Sequence, residues 1–185
     1  SEIEEVLKRV EEMIRRSKKL TDKVLREVEK MIRELDKKTD EVLERSERLA
    51  RELKELVRRD VPDSEKVERI REKIDRLVKE SRDSVKKNKD ENREIVRRVR
   101  DLVRENKERL DKVLEDVDRE VKRVRRRERI EEILRRVTEA IKRSKEDSER
   151  IRETVTRLIR ESEENSKRNL ERVKKVIDEL REEIR

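Results

Sequence analysis

The side chains able to do chemistry in this chain are hydroxyls, amides, carboxylates, amines and guanidiniums only. Its 185 residues contain no His, no Cys, no Gly and no aromatic residue. Without imidazole or thiol there is no His-based triad and no thiolate nucleophile, and without glycine there is no phosphate-cradling loop of known type. Di-iron helical bundles need inward Glu residues with Glu-x-x-His, which the chain cannot supply. Ser144, Ser148 and Ser166 carry hydroxyls but have no evident general base. Asp147, beside Ser148, reads as a network or surface carboxylate. No catalytic residue, metal or cofactor is therefore expected, and the chain is not expected to be an enzyme.

What gives the polar residues meaning is where they stand in a repeat. Residues 4–21, 22–39 and 40–57 read EEVLKRVEEMIRRSKKLT, DKVLREVEKMIRELDKKT and DEVLERSERLARELKELV. Val6, Val24 and Val42 are equivalent, as are Leu7, Leu25 and Leu43, then Met13, Met31 and Leu49, then Ile14, Ile32 and Ala50. The same 18-residue period relates Val67, Val85, Val103 and Val121, and Ile141, Ile159 and Ile177. Five turns of about 3.6 residues fill one period, so the apolar stripe returns to the same face and asks for straight helices, where a heptad would impose a supercoil. Each stripe spans roughly 120–140° of its helix, the width of a core-facing surface. The other faces are Glu, Lys and Arg, with acid-before-base pairs such as Glu4/Lys8, Glu11/Arg15 and Glu41/Arg45.

The chain is 59% charged and 29% hydrophobic, with 59 basic against 51 acidic residues. That composition alone permits disorder, but the signs nearly cancel and the apolar residues are periodic. The only proline, Pro62, lies in DVPDS at 60–64; it disfavours helix at Val61 and offers Asp63 or Ser64 as the next N-cap. Beyond it, a single helix to the end would have its stripe jump by about half the wheel between Val124 and Ile130, so a second turn is expected within 124–129. Arg125, Arg126 and Arg127 suit a helix C-terminus, and Glu128, Glu131 and Glu132 an N-terminus. The expectation is an all-α, antiparallel, essentially untwisted three-helix bundle over 1–185, one elongated domain. Its helices, at about 2–59, 64–124 and 128–184, are joined by turns at about 60–63 and 124–129; each is near 90 Å long at about 1.5 Å per residue.

Ser, Thr and Asn occupy stripe positions that the repeat elsewhere fills with apolar residues. Ser17 is equivalent to Leu35 and Leu53; Asn88 and Asn106 to Ile70 and Val124; Asn169 to Ile133 and Ile151; Ser148 and Ser166 to Ile130 and Ile184. A buried polar group without a partner costs about 1–3 kcal/mol, so each needs one. Counting outward from the two turns sets Ser17 level with Asn106, and Asn106 level with a point between Ser144 and Ser148, with Thr21 in the same layer. The same count sets Thr39 level with Ser84, and Ser84 with Ser166 and Asn169; Ser46, Ser81, Asn88, Asn92 and Ser162 are close by. Two buried polar layers are thus expected.

With that repeat, that Glu/Lys/Arg surface, that Leu/Ile/Val core and those Ser/Thr/Asn layers, the chain resembles de novo designed helical bundles with buried hydrogen-bond networks. The resemblance runs over the whole length. It implies that the networks specify helix pairing and register while apolar layers supply stability, and that the protein is a structural scaffold with no natural biochemical activity. The alternative is an interaction module, in which three helices accept a fourth from a partner chain or self-associate. Spectrin-like and apolipoprotein-like helices fit poorly, since aromatic residues and Pro or Gly punctuation are expected in them.

No partner is required of a monomer. The segment REVKRVRRRER at 119–129, with seven basic and two acidic residues, is the strongest local charge feature; it would bind nucleic acid only non-specifically, and aromatic stacking groups are missing. No run of about 18 apolar residues and no signal-peptide pattern is present, so a soluble protein, made recombinantly and with no assigned compartment, is expected. An idealised bundle of this kind should stay folded to above about 90 °C by circular dichroism; a cooperative melt near about 50 °C would overturn the idealised reading.

Overall fold

Charge placement at the ends of the first two helices agrees with the backbone dipole. The first helix, α1, runs Glu2–Asp60 with Glu2, Glu4 and Glu5 in its first turn and Arg58 and Arg59 in its last. The second, α2, runs Ser64–Arg123 with Glu65 at its start and Lys122 and Arg123 at its end, and α3 runs Arg127–Ile184. Anions near the exposed N–H groups and cations near the exposed carbonyls each contribute a few tenths of a kcal/mol to about 1 kcal/mol. The computed structural model describes residues 2–123 and 127–184 and is an all-α three-helix bundle, with no strand among the described residues.

The first turn is made without glycine because it needs no left-handed residue: no described residue has positive φ. The Val61 amide donates to the Val57 carbonyl at 3.1 Å, completing the last turn of α1. Pro62 then breaks the ladder. Asp63, of the two candidates, is the cap of α2: its Oδ1 accepts from the amides of Glu65 at 3.0 Å and Lys66 at 3.5 Å, and its carbonyl accepts from Val67 at 3.0 Å. The expected second turn at 124–129 falls largely outside the described residues, which resume at Arg127, with side chains from Arg129.

The helices contribute to two compact units, Ser1–Lys30 with Ile95–Thr156, and Met31–Glu94 with Arg157–Arg185. In the first, α1 and α2 are antiparallel: Lys18 meets Asp111, Asp22 meets Lys107 and Glu29 meets Arg100, one number rising as the other falls. There α3 runs parallel to α1, since Ser17 meets Ser144 and Glu27 meets Arg152. Its apolar core is built on Val10, Ile14, Leu110, Val121, Ile133 and Val137. In the second unit α1 and α2 are again antiparallel, through Asp40 with Lys89, Glu47 with Arg82 and Lys54 with Asp75. Its core gathers Leu53, Val57, Ile70, Ile74, Val173 and Ile177, with Val61 of the turn packed against it.

Counting outward from the first turn would set Glu105 opposite Lys18; the structure sets Asp111 there. Side chains on a helix lean toward its own N-terminus. In an antiparallel pair the α1 tips therefore lean away from the turn and the α2 tips toward it. Partners meet further along α2 than a count of Cα levels implies.

Replacing Ile74, 1% exposed, with Ala should lower stability by about 2–5 kcal/mol in guanidinium titrations, Asp63→Ala by about 1 kcal/mol through loss of the cap, and Leu20→Ala, at a position 46% exposed, by no more than about 0.5 kcal/mol. An Asp63→Ala midpoint unchanged from the parent would mean that the cap is not what ends the turn.

Candidate functional site

In the first unit, five of the stripe's polar residues come together below 10% exposure: Ser17 and Thr21 on α1, Asn106 on α2, Ser144 and Ser148 on α3. Their hydrogen bonds form a directed set. The Thr21 hydroxyl donates to the Ser17 carbonyl at 2.9 Å, one turn back along α1. With its proton used there, Thr21 Oγ1 faces inward as an acceptor, and Asn106 Nδ2 donates to it at 3.4 Å. The same Nδ2 donates to Ser144 Oγ at 2.8 Å, and the Ser17 hydroxyl donates to Ser144 Oγ at 3.3 Å. One hydroxyl oxygen on α3 thus accepts from α1 and from α2, and the layer ties all three helices. Asn106 was expected level with Ser17; it reaches Thr21 instead, and both it and Ser17 converge on Ser144.

Every one of these bonds joins neutral groups. Asp147, the carboxylate before Ser148, faces Arg109 at 3.8 Å. An open groove of about 460 Å³ along the α2–α3 seam has Asn106 and Ser144 among its walls, but Arg109 faces Asp147 and Arg136 is bonded to Glu120. The Glu120 hydrogen bond raises the pKa of Arg136 against a smaller opposing effect of desolvation. Such a layer ties the three helices together; none of these bonds brings a carboxylate or amine base to a serine.

The second unit arranges its polar residues differently. Thr39, Ser46 and Asn92 are buried, while Ser81, Ser84, Asn88, Ser162, Ser166 and Asn169 are half-buried. Thr39 donates to the Leu35 carbonyl at 2.9 Å and Ser46 to the Val42 carbonyl at 3.0 Å, both within α1. Asn92 Nδ2 donates to Asp36 at 2.9 Å, linking α2 to α1, and Asn169 Nδ2 donates to Ser84 Oγ at 2.8 Å, linking α3 to α2. Ser84 was expected level with Thr39 and with Asn169; the Asn169 bond is made. The links here are pairwise, and the Oγ atoms of Ser162 and Ser166 are enclosed without a hydrogen-bond partner.

Sequence reasoning missed a ladder of ion pairs along the α1–α2 seam. Glu29–Arg100 at 3.2 Å recurs 18 residues on as Glu47–Arg82 at 2.7 Å; Asp22–Lys107 recurs as Asp40–Lys89; Lys18–Asp111 recurs, two periods on, as Lys54–Asp75. Between Lys18 and Lys54 the equivalent position holds Asp36, which accepts from the Asn92 amide where the two lysines take an aspartate. The Arg82 guanidinium is held above its ordinary pKa, first by its hydrogen bond to Glu47 and then by that carboxylate's charge. The contribution of that raised guanidinium is present below its unfolded pKa and is lost only in strong alkali, so its own titration does not enter at ordinary pH. Pairs within a helix also depart from simple spacing, since Arg15 and Arg16 both turn to Glu12. In the described part of the basic 119–129 run, Arg119 faces Asp116 and Lys122 faces Asp118.

Among the described residues no helix is long and apolar enough to cross a membrane, and no group of three or more carboxylates is gathered to hold a metal. The chain matches no known protein family, no curated protein and no solved structure.

Ser144→Ala removes one of the two acceptors of the Asn106 amide and strands the Ser17 hydroxyl, so it should cost about 1–3 kcal/mol in guanidinium titrations; adding Asn106→Leu to it should restore part of that loss, since an apolar pair leaves fewer donors unsatisfied. A double variant weaker than Ser144→Ala alone would show that Ser144 acts through packing and not through the network.

Proposed function

We propose that this chain is a structural scaffold of the designed kind, without a substrate, whose buried Ser/Thr/Asn residues select helix pairing and register. The observation that carries this is Ser144 Oγ accepting from Asn106 on α2 and from Ser17 on α1. A pairing slipped by one turn would leave these groups enclosed and unbonded, at about 1–3 kcal/mol each, whereas a slipped apolar layer would find other apolar neighbours. The covering of the stripes supports the same reading: Leu20 at 46% and Leu102 at 45% are the large hydrophobics exposed among the described residues, single positions of the kind any surface carries.

A second reading, an interaction module that takes up a further helix, has one observation in its favour. Between residues 157 and 172, in the second unit, no residue of α3 is fully buried; Leu158, Ile159, Ser162, Ser166, Asn169 and Leu170 are all half-covered.

Sedimentation equilibrium should return the mass of one chain at micromolar concentration; a stable dimer would overturn the scaffold reading in favour of the interaction module. Register is tested by Asn106→Leu, with spin labels at the exposed positions Lys19 and Glu146. Helicity should be unchanged and the thermal midpoint equal or higher, while the distance distribution broadens or splits relative to the parent. An unbroadened distribution would remove the network from the role proposed for it.

A further inference from the structure

The polar layer of the second unit lines a small, partly open cavity of about 20 Å³, whose walls include Thr39 and Ser46 of α1, Ser81 and Asn88 of α2, and Ser166 and Asn169 of α3. We propose that this cavity is a binding site for one resident water molecule, held by Thr39, Ser46, Asn88 and Ser166 and joining all three helices within that unit.

Size limits the occupant first. A cavity needs roughly 10–15 Å³ of accessible space to take a water, and ligand pockets begin near about 300 Å³. Nothing larger than water or a comparably small solute fits. Polarity decides between wet and dry. Cavities lined by Leu, Ile and Phe stay empty, whereas a water with two to four polar partners is retained. Here the donor and acceptor directions are complementary. Thr39 and Ser46, both in the cavity wall, have committed their protons to the carbonyls of Leu35 and Val42, so their oxygens can serve it as acceptors only. A water donates to both. Ser166 Oγ is enclosed without a partner and has a proton to give, and the Asn88 amide supplies further donors from α2. The water accepts from these. Such a molecule removes the cost of enclosing the Ser166 hydroxyl and gives the second unit the three-helix link that its direct hydrogen bonds lack.

The site stands on the geometry of these side chains and does not depend on what the bundle is for. It is tested on the intact chain by water–protein cross-relaxation in NMR, with methyl-labelled Val and Leu. Long-lived water cross-peaks are expected at the methyls of Val85 and Leu170, which line the cavity. They should be retained or weakened in Ser166→Ala, which keeps the space and removes one partner, and lost in Ser166→Val, which fills it. Xenon pressure serves as the opposite probe: xenon should leave these methyl shifts unmoved in the parent. Absence of long-lived water cross-peaks in the folded parent, or xenon-induced shifts at Val85 and Leu170, would overturn the proposal. So would cross-peaks that persist in a folded Ser166→Val. Were that variant unfolded, the parent measurements with water and xenon would still decide.

Discussion

The return of the apolar stripe to the same helix face every 18 residues is the constraint on which the other features rest. Five turns close on themselves, so a residue type placed at one position of the repeat meets the same neighbours one period later. That explains why Glu29–Arg100 and Glu47–Arg82 are one interaction made twice, and why Asp22–Lys107 and Asp40–Lys89 are another. With a drifting stripe, charges at the flanks would rotate out of reach within two periods. It also explains why the polar substitutions are legible as substitutions at all, since Ser17 stands where the repeat later has Leu35 and Leu53, both buried.

Three kinds of contact act on this frame with different strengths. Burial of Leu, Ile and Val supplies the stabilisation, at about 1.5–3 kcal/mol for each side chain taken fully out of water, and it is non-directional. The seam ion pairs are exposed or half-exposed; each contributes between about 0 and 1 kcal/mol and is screened by salt, but like charges set opposite one another repel, so they reject wrong pairings of α1 with α2. The buried layers stabilise little in net terms, because each bond replaces one made to water. On the scaffold reading proposed above, their effect is on the competitors: a misregistered bundle would keep most of its apolar burial and lose the bonds at Ser144, and the layer would widen the gap between the native pairing and its neighbours.

Much of this was legible because helix periodicity and turn chemistry are local. Pro62 and Asp63 mark the first turn directly, and the three stripes follow from spacing alone. The residues of the first polar layer were identifiable from their repeat positions, but not their partners. Which oxygen accepts depends on where each hydroxyl proton goes, and Thr21 sends its proton to a backbone carbonyl that no sequence pattern displays. The shift from Glu105 to Asp111 opposite Lys18 came from side-chain lean, a three-dimensional property absent from a count of Cα levels. The ladder went unseen for a different reason. Charges on an exposed face look alike until the face opposite is known, although Asp22 and Asp40, Glu29 and Glu47, and Arg82 and Arg100 repeat at 18.

The two polar layers differ in a way that donor and acceptor arithmetic explains. In the first, one asparagine shares the layer with four hydroxyl residues, and its amide finds two acceptor oxygens, Thr21 Oγ1 and Ser144 Oγ. Few groups, each with a defined direction, close on one another. In the second, more polar residues share the layer, yet Thr39 and Ser46 turn their protons inward along α1, Asn92 turns to Asp36 at the rim, and Asn169 is occupied by Ser84. The Oγ atoms of the α3 serines Ser162 and Ser166 remain enclosed and unbonded. Adding polar residues to a core does not by itself extend a network. What extends it is a donor within direct reach of such an acceptor: Asn106 reaches Thr21 Oγ1, whereas Asn92 and Asn169 go to Asp36 and Ser84.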